Sequence, residues 1–262
     1  MSLFGIVNTK INFSIEKFIQ MNTFKVTKLV NVKKPLVLCI LFFLPVIFLL
    51  FLYPSKHNYK TLDIVKYDIT ELNNFHTLNG QDVGLKDQLS VVTFLGKRPM
   101  QDPTIALNLK ELIYDKFLGF KRFQVLALVP FSAKDQVNQL KKELDAFVPL
   151  QYWKFAFASE NLIQETYNNF KTSSILSSDL NSSSVFLVDK ERNQRGRLDD
   201  RTKSQIEQNS TAYGLSSYNV LDISDLKNKM SDDIRILFTE YRQKRKGTYD
   251  SFERRAKDLK NE

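Results

Sequence analysis

From Leu36 to Tyr53 the chain is uncharged and almost wholly apolar, and no other stretch sustains such a run. At about 1.5 Å per residue it rises roughly 27 Å, close to the hydrocarbon thickness of a bilayer. The pattern predicts a membrane-spanning helix over 35–53. It divides the chain into a basic head (1–34), a linker (54–66), a polar body (67–243) and a charged tail (244–262). Pro45 is tolerable in a membrane helix. Tyr53 falls where an interfacial aromatic belongs.

Lys10, Lys17, Lys25, Lys28, Lys33 and Lys34 precede the run, opposed by Glu16 alone, whereas only Lys56 and Lys60 closely follow it. Lysines in short flanks stay on the cytoplasmic side, so the head is expected inside and the body outside. A cleaved signal peptide would carry a shorter apolar region and a small-x-small site. The sequence Phe51-Leu-Tyr-Pro-Ser-Lys56 has no such site, which favours an uncleaved anchor in an inner membrane with a periplasmic body. Within the head, Phe13, Ile15, Phe18 and Ile19 fit either a short amphipathic helix or a loose tail. Met21 offers an alternative start.

In the body the periodicity alternates between strand and helix. Phe75–Gln81 reads as a short strand entering an Asn-Gly turn, and Ser90–Leu95 as a buried strand. After the loop 96–102 a helix is expected from Pro103, capped by Asp102, with Ile105, Leu109, Leu112, Ile113 and Phe117 on one face and Gly119 at its end. Phe123–Val129 is a second buried strand. Ser132 is expected to cap a helix carrying Val137, Leu140, Leu144 and Phe147. Trp153–Phe157 alternates as a strand, Glu160–Phe170 reads as a helix, and Ser184–Asp189 pairs with Gln194–Leu198 as a hairpin. A long helix from Ile223 to Gln243 closes the order. Alternating strands and helices predict an α/β protein, a mixed sheet covered on both faces, and the terminal hairpin plus helix is the thioredoxin-like arrangement.

The net charge of +9 suggests nucleic acid, but its distribution argues otherwise. Much of it sits in the head and the last residues, while the middle mixes both signs as a solvated surface does. No nucleic-acid partner is expected. With 43% hydrophobic residues and 21 Phe, the body can build one core. The single cysteine, Cys39, lies in the apolar run, so the body has no thiol for a disulfide, dithiol exchange or thiolate ligation. His57 and His76 are the only imidazoles. Neither a catalytic set, nor a cofactor, nor a metal site assembles from this inventory.

Two segments resemble the Sco/SenC family, membrane-anchored thioredoxin-like proteins involved in copper delivery to cytochrome c oxidase. Where that family has Cys-Pro-x-x-Cys-Pro at the head of a helix, this chain reads Arg98-Pro99-Met100-Gln101-Asp102-Pro103. Where it has a ligand His before a strand ending in Asp, this chain has Asn181 before Ser184–Asp189. The segments 190–196 and 222–241 resemble its hairpin and closing helix, so the likeness spans roughly 65–243. Both prolines stand and all three implied copper ligands are replaced. The resemblance therefore implies a degenerate, non-catalytic member that binds other membrane or periplasmic proteins near a respiratory oxidase. An active chaperone or thiol oxidoreductase, and a structural subunit of a larger complex, are the rival readings.

Arg98 and Asp102 stand four apart and are expected either to pair at the helix start and contact a partner, or to act separately as a solvated charge and a helix cap. His76 reads as a strand-edge residue and Asp189 as a strand end that shapes a turn. Arg192, Arg195, Arg197 and Arg201, set against Asp199 and Asp200, read as a solvated hairpin ahead of an acidic-partner or headgroup patch.

Overall fold

The computed structural model describes residues 34–51, 61–146 and 148–247. The amphipathic reading of the head, Tyr53, most of the linker and the tail from residue 248 lie outside them. The chain forms two units, Met1–Asn58 and Tyr59–Glu262. In the first, α1 (Lys34–Phe51) is long and apolar enough to cross a membrane, and its side chains are exposed throughout.

The second unit is built on a sheet with the order β1 (Asp63–Lys66), β6 (Gln194–Gly196), β5 (Ser184–Val188), β2 (Leu89–Phe94), β3 (Phe123–Pro130) and β4 (Trp153–Ala158). The short strand β7 (Tyr218–Asn219) pairs β5 away from that path. Strands β2, β3 and β4 are parallel, and β5, β6 and β1 run antiparallel to their neighbours. Strand β1 lies within the segment assigned to the linker, so the sheet begins at residue 63.

The central strands are buried along their whole length, as strands covered on both faces should be. Their alternate side chains enter two separate cores. Val91, Val125, Val129 and Leu187 face one, and Val92, Phe94, Leu126, Leu128 and Phe186 face the other. The first core is closed by α2 (Thr104–Leu109), by α4 (Lys134–Leu144) and by α7 (Ser231–Arg245). The second is closed by α5 (Glu160–Asn168) and by the segment Ile69–Leu85, whose Ile69, Leu72, Phe75 and Leu85 are fully or almost fully buried.

Several boundaries differ from the sequence reading, for local reasons. Pro103, at φ −71°, already has helical geometry and occupies the cap position of α2, so Asp102 lies one residue too early and caps nothing. Helix α2 continues through a π-helical turn (Lys110–Tyr114) into α3 (Asp115–Phe117). Ser132 falls inside a 3-10 turn (Phe131–Ala133) that carries the chain straight from β3 into α4, and Ala133 takes the cap without a side-chain bond. Ser159 caps α5 instead, its Oγ accepting from Leu162 N at 3.3 Å. The closing helix opens as a π-helical segment (Asp225–Met230) before α7. Around the Asn-Gly turn, where Gly80 has φ 72°, the expected strand reduces to bridges from His76 to Asp82 and Phe157. The short helix α6 (Lys203–Glu207) follows a Thr202–Gln205 capping box.

Candidate functional site

Parallel pairing of β2 with β3 sends their carboxyl ends to the same edge of the sheet, where open α/β sheets place their sites. The loop 96–103 leaves β2 there. It is stitched to the loop that precedes β5. Lys97 N donates to Asp179 O at 2.8 Å, Ser182 N donates to Phe94 O at 3.1 Å, and Leu95 bridges Asn181. Gly96 makes this approach possible. Its φ is +74°, and a Cβ there would collide with the Asp179 carbonyl and lie 2.9 Å from Asn181 Cβ.

The sequence-predicted residues are thereby gathered at one place, in unequal roles. Arg98 is about half exposed and its guanidinium grips Asp179, with Nε at 3.0 Å. It does not pair with Asp102, because the turn closed by Gln101 N on Arg98 O directs Arg98 across to the neighbouring loop. Asp102 is exposed and makes no hydrogen bond or ion pair among the described residues. Pro99 is buried and Pro103 half-buried, so the two prolines act as packing and helix-start residues. Asn181 is turned back on its own loop: Ser177 Oγ donates to Asn181 Oδ1, and Asn181 N donates to Ser177 Oγ at 3.2 Å. His76 lies 3.2 Å from Asp82 and, as expected, sits at a strand edge.

Sequence reasoning missed Asp179 and Glu160, the carboxylates that receive Arg98 and Lys97, the latter pair at 2.7 Å. Asp179 lies in the serine-rich stretch 173–184, where no periodicity distinguishes one polar residue from the next.

The arginine cluster is not a solvated hairpin. Arg195 is buried, bonded to Asp189 at 3.0 Å and Glu240 at 2.9 Å, with Leu62 O accepting a third bond at 2.6 Å. Burial opposes its charge, but Glu240 and Asp189 prevail and hold its pKa above the ordinary arginine value. Arg197 forks onto Asp233 and reaches Asp200 at 2.7 Å. Tyr218 donates to Asp233 at 2.7 Å, and Lys229 completes the set on Asp200 at 2.7 Å. Arg192, Arg197 and Arg201 keep partial exposure, and Arg195 alone of the four is buried. Asp189 does shape the turn, its Oδ1 accepting from Glu191 N at 3.0 Å and Asn193 N at 2.8 Å.

A parallel β–α–β unit, an antiparallel hairpin beside its first strand and a closing helix together decide the architecture. The fold is thioredoxin-like. No protein-family model matches the chain, and no curated protein matches it in sequence. It is similar in structure to BsSco, a member of the Sco family of cytochrome c oxidase assembly proteins, at 16% identity over 66% of this chain and 91% of that one, with TM-score 0.42. A SCO1/SenC family lipoprotein from Bacillus anthracis matches at 12% identity over 67% and 95%, TM-score 0.45. Bradyrhizobium japonicum ScoI with copper bound matches at 11% identity over 64% and 98%, TM-score 0.39.

Within this thioredoxin-like frame, the three positions at which the Sco resemblance implies copper ligands offer a guanidinium, a carboxylate and an amide. Copper(I) takes soft thiolate, thioether or imidazole donors. A guanidinium cannot deprotonate to serve as a ligand, and Asn181 Oδ1 is already engaged. These residues do not fit copper. Among the described residues no three His, Cys, Asp or Glu side chains are grouped to hold a metal ion. What the edge presents is a charged, hydrogen-bonded platform. Phe131, 60% exposed, lies just beyond β3 at this edge, and Ile175, 90% exposed, lies two residues before Ser177.

Proposed function

We propose that this chain is a membrane-tethered thioredoxin-like protein that binds other proteins without redox turnover. The observation that carries the reading is the Arg98–Asp179 ion pair, at the residue that the Sco/SenC resemblance matches to the first cysteine of its motif. A guanidinium held by a carboxylate presents charge and shape but neither nucleophile nor soft donor. The composition supports the same conclusion, since Cys39 lies in the apolar helix and leaves the second unit without a thiol. Helix α1 supplies the tether, and the lysine bias of its flanks favours a cytoplasmic head and a periplasmic domain. The respiratory setting, as an accessory or assembly factor of a copper oxidase, follows from the resemblance of residues 98–103 and 181–189 to the Sco/SenC pattern.

A copper(I) titration of the full-length protein in detergent, run against a competing chelator, tests the negative half of this reading. No stoichiometric uptake is expected, and tight stoichiometric binding overturns it. Affinity capture from gently solubilised membranes tests the positive half. Specific protein partners should be retained by the parent and depleted with Arg98→Glu, and equal retention by both rejects the edge as the binding surface.

A further inference from the structure

At the opposite edge of the sheet lies a cavity of about 680 Å³ with a different character. Its walls come from the segment that leads into β3, Lys190 in the turn after β5, and the last turns of α7. Five cations contribute: Lys121, Arg122, Lys190, Arg242 and Arg245. Among the described residues none of the five forms an ion pair. Elsewhere the molecule does not leave arginines this way, for Arg98, Arg195 and Arg197 all rest on carboxylates. The nearby acidic groups are Glu191, which is drawn to Lys244 at 3.9 Å, and Asp87.

The electrostatics of Lys190 record the crowding. Its ammonium sits over the Tyr241 ring, 4.1 Å from the centroid. Burial first, and then the charge of Arg122, lower its pKa from the ordinary lysine value. Arg245 adds to the lowering, while Glu191 and Asp87 oppose it. Beside the cations, Phe120 and Phe238 stack at 3.9 Å, with Phe120 38% exposed, and provide an apolar wall.

We infer that this cavity is a binding site for a phosphate-bearing anion, held by Arg122, Arg242 and Arg245 with its less polar part against Phe120. Unpaired like charges around one concavity raise the local concentration of anions. Arginine forks match phosphate oxygens two at a time, which monovalent halides cannot reproduce. A soluble phosphate compound and the headgroup of an anionic lipid share this chemistry.

Calorimetric titration of the full-length protein in neutral detergent distinguishes the two sources. One arm adds inorganic pyrophosphate, and the other adds mixed micelles containing phosphatidylglycerol, with phosphatidylcholine as the reference. Binding in either arm is expected, and the arm that responds names the source. R122Q/R245Q should weaken it at least about tenfold, the equivalent of ~1.4 kcal/mol. K141Q/K142Q removes the same charge from exposed positions of α4 and should change it by less than about twofold. Both altered arginines are exposed and unpaired, so folding should survive their loss. As a readout on the unaltered protein, the responding probe should shield Lys121 and Lys190 from an acylating reagent. Absence of binding in both arms, equal weakening by the two double variants, or unshielded lysines overturns the proposal.

Discussion

Arg195 and Glu240, 45 positions apart in the chain, meet at 2.9 Å with their side chains 6% and 0% exposed. Glu240 also accepts the backbone N–H of Leu62 at 3.1 Å, and Arg195 donates to the Leu62 carbonyl. One ion pair therefore holds both polar groups of the residue that precedes β1. Removing Glu240 takes one of two carboxylates from Arg195, which keeps Asp189, and strips the Leu62 N–H of its acceptor, at a cost of about 1–3 kcal/mol. Glu240→Ala should lower the free energy of unfolding by that amount in urea denaturation. Arg195→Met added to it should deepen the loss, because Asp189 then stands buried without its counter-charge. A shift below about 1 kcal/mol for the single variant contradicts the pairing.

Gly96 separates two loops that touch. Gly96→Ala asks an L side chain to adopt φ +74° and to share space with Asp179 and Asn181. The expected destabilisation is about 1–3 kcal/mol. Gly119, where an added Cβ meets nothing within 4 Å, is the control: Gly119→Ala should stay within about 0.5 kcal/mol. Equal effects at the two positions count against the account of the stitched loops.

Arg98→Ala separates binding from folding. The pair it breaks is half exposed, so thermal or chemical stability should change by no more than about 1 kcal/mol. Partner capture should nonetheless fall, because the charge presented at the edge changes from a neutralised pair to a bare carboxylate. A variant that unfolds contradicts the first expectation, and a folded one that captures partners as the parent does contradicts the second.

Restoring the implied ligands tests the alignment directly. Asn181 abuts Gly96, two residues before Arg98, so the substitutions R98C, D102C and N181H place soft donors on adjoining loops. A folded triple variant should take up copper(I) stoichiometrically where the parent does not. A folded variant that remains copper-free shows that the two segments were matched to the wrong pattern.

Alkaline titration probes the interior. Burial, and then the charge of Asp233, raise the phenol of Tyr218 well above the ordinary tyrosine value, and burial raises Tyr241 likewise. Each folded pKa exceeds the unfolded one. Below about pH 10 both states bind the proton and the contribution is complete; above it only the unfolded state ionises, so stability falls as pH rises. Urea midpoints should drop between about pH 9 and ~11, less in Tyr218→Phe. Phenolate absorbance should lag until the chain unfolds. Early ionisation of every tyrosine contradicts the burial of these two.

The periodic parts of the molecule were readable because periodicity reports burial. The runs 90–95, 123–129 and 184–189, and the stripes of Val137, Leu140 and Leu144, became strands and a helix at nearly the expected bounds. The adjoining positions of Arg98 and Asn181 were legible only through resemblance. Misreadings fell where long-range contacts decide. An Arg195 flanked by polar residues looks solvated until Glu240, distant in sequence, closes over it. Asp102 has the composition of a cap, but Pro103 takes the geometry. Asp179 is one polar residue among many, and Leu180 beside it takes a left-handed turn, φ +62°, that no glycine marks in the sequence.

Leu62 stands just before β1, and it is fastened there to a side chain from α7. A tug applied at Leu62 would not peel β1 away by itself. It would be shared with α7 and the hairpin at once, so the domain should yield to traction as a block, after its anchoring charges have been torn apart together.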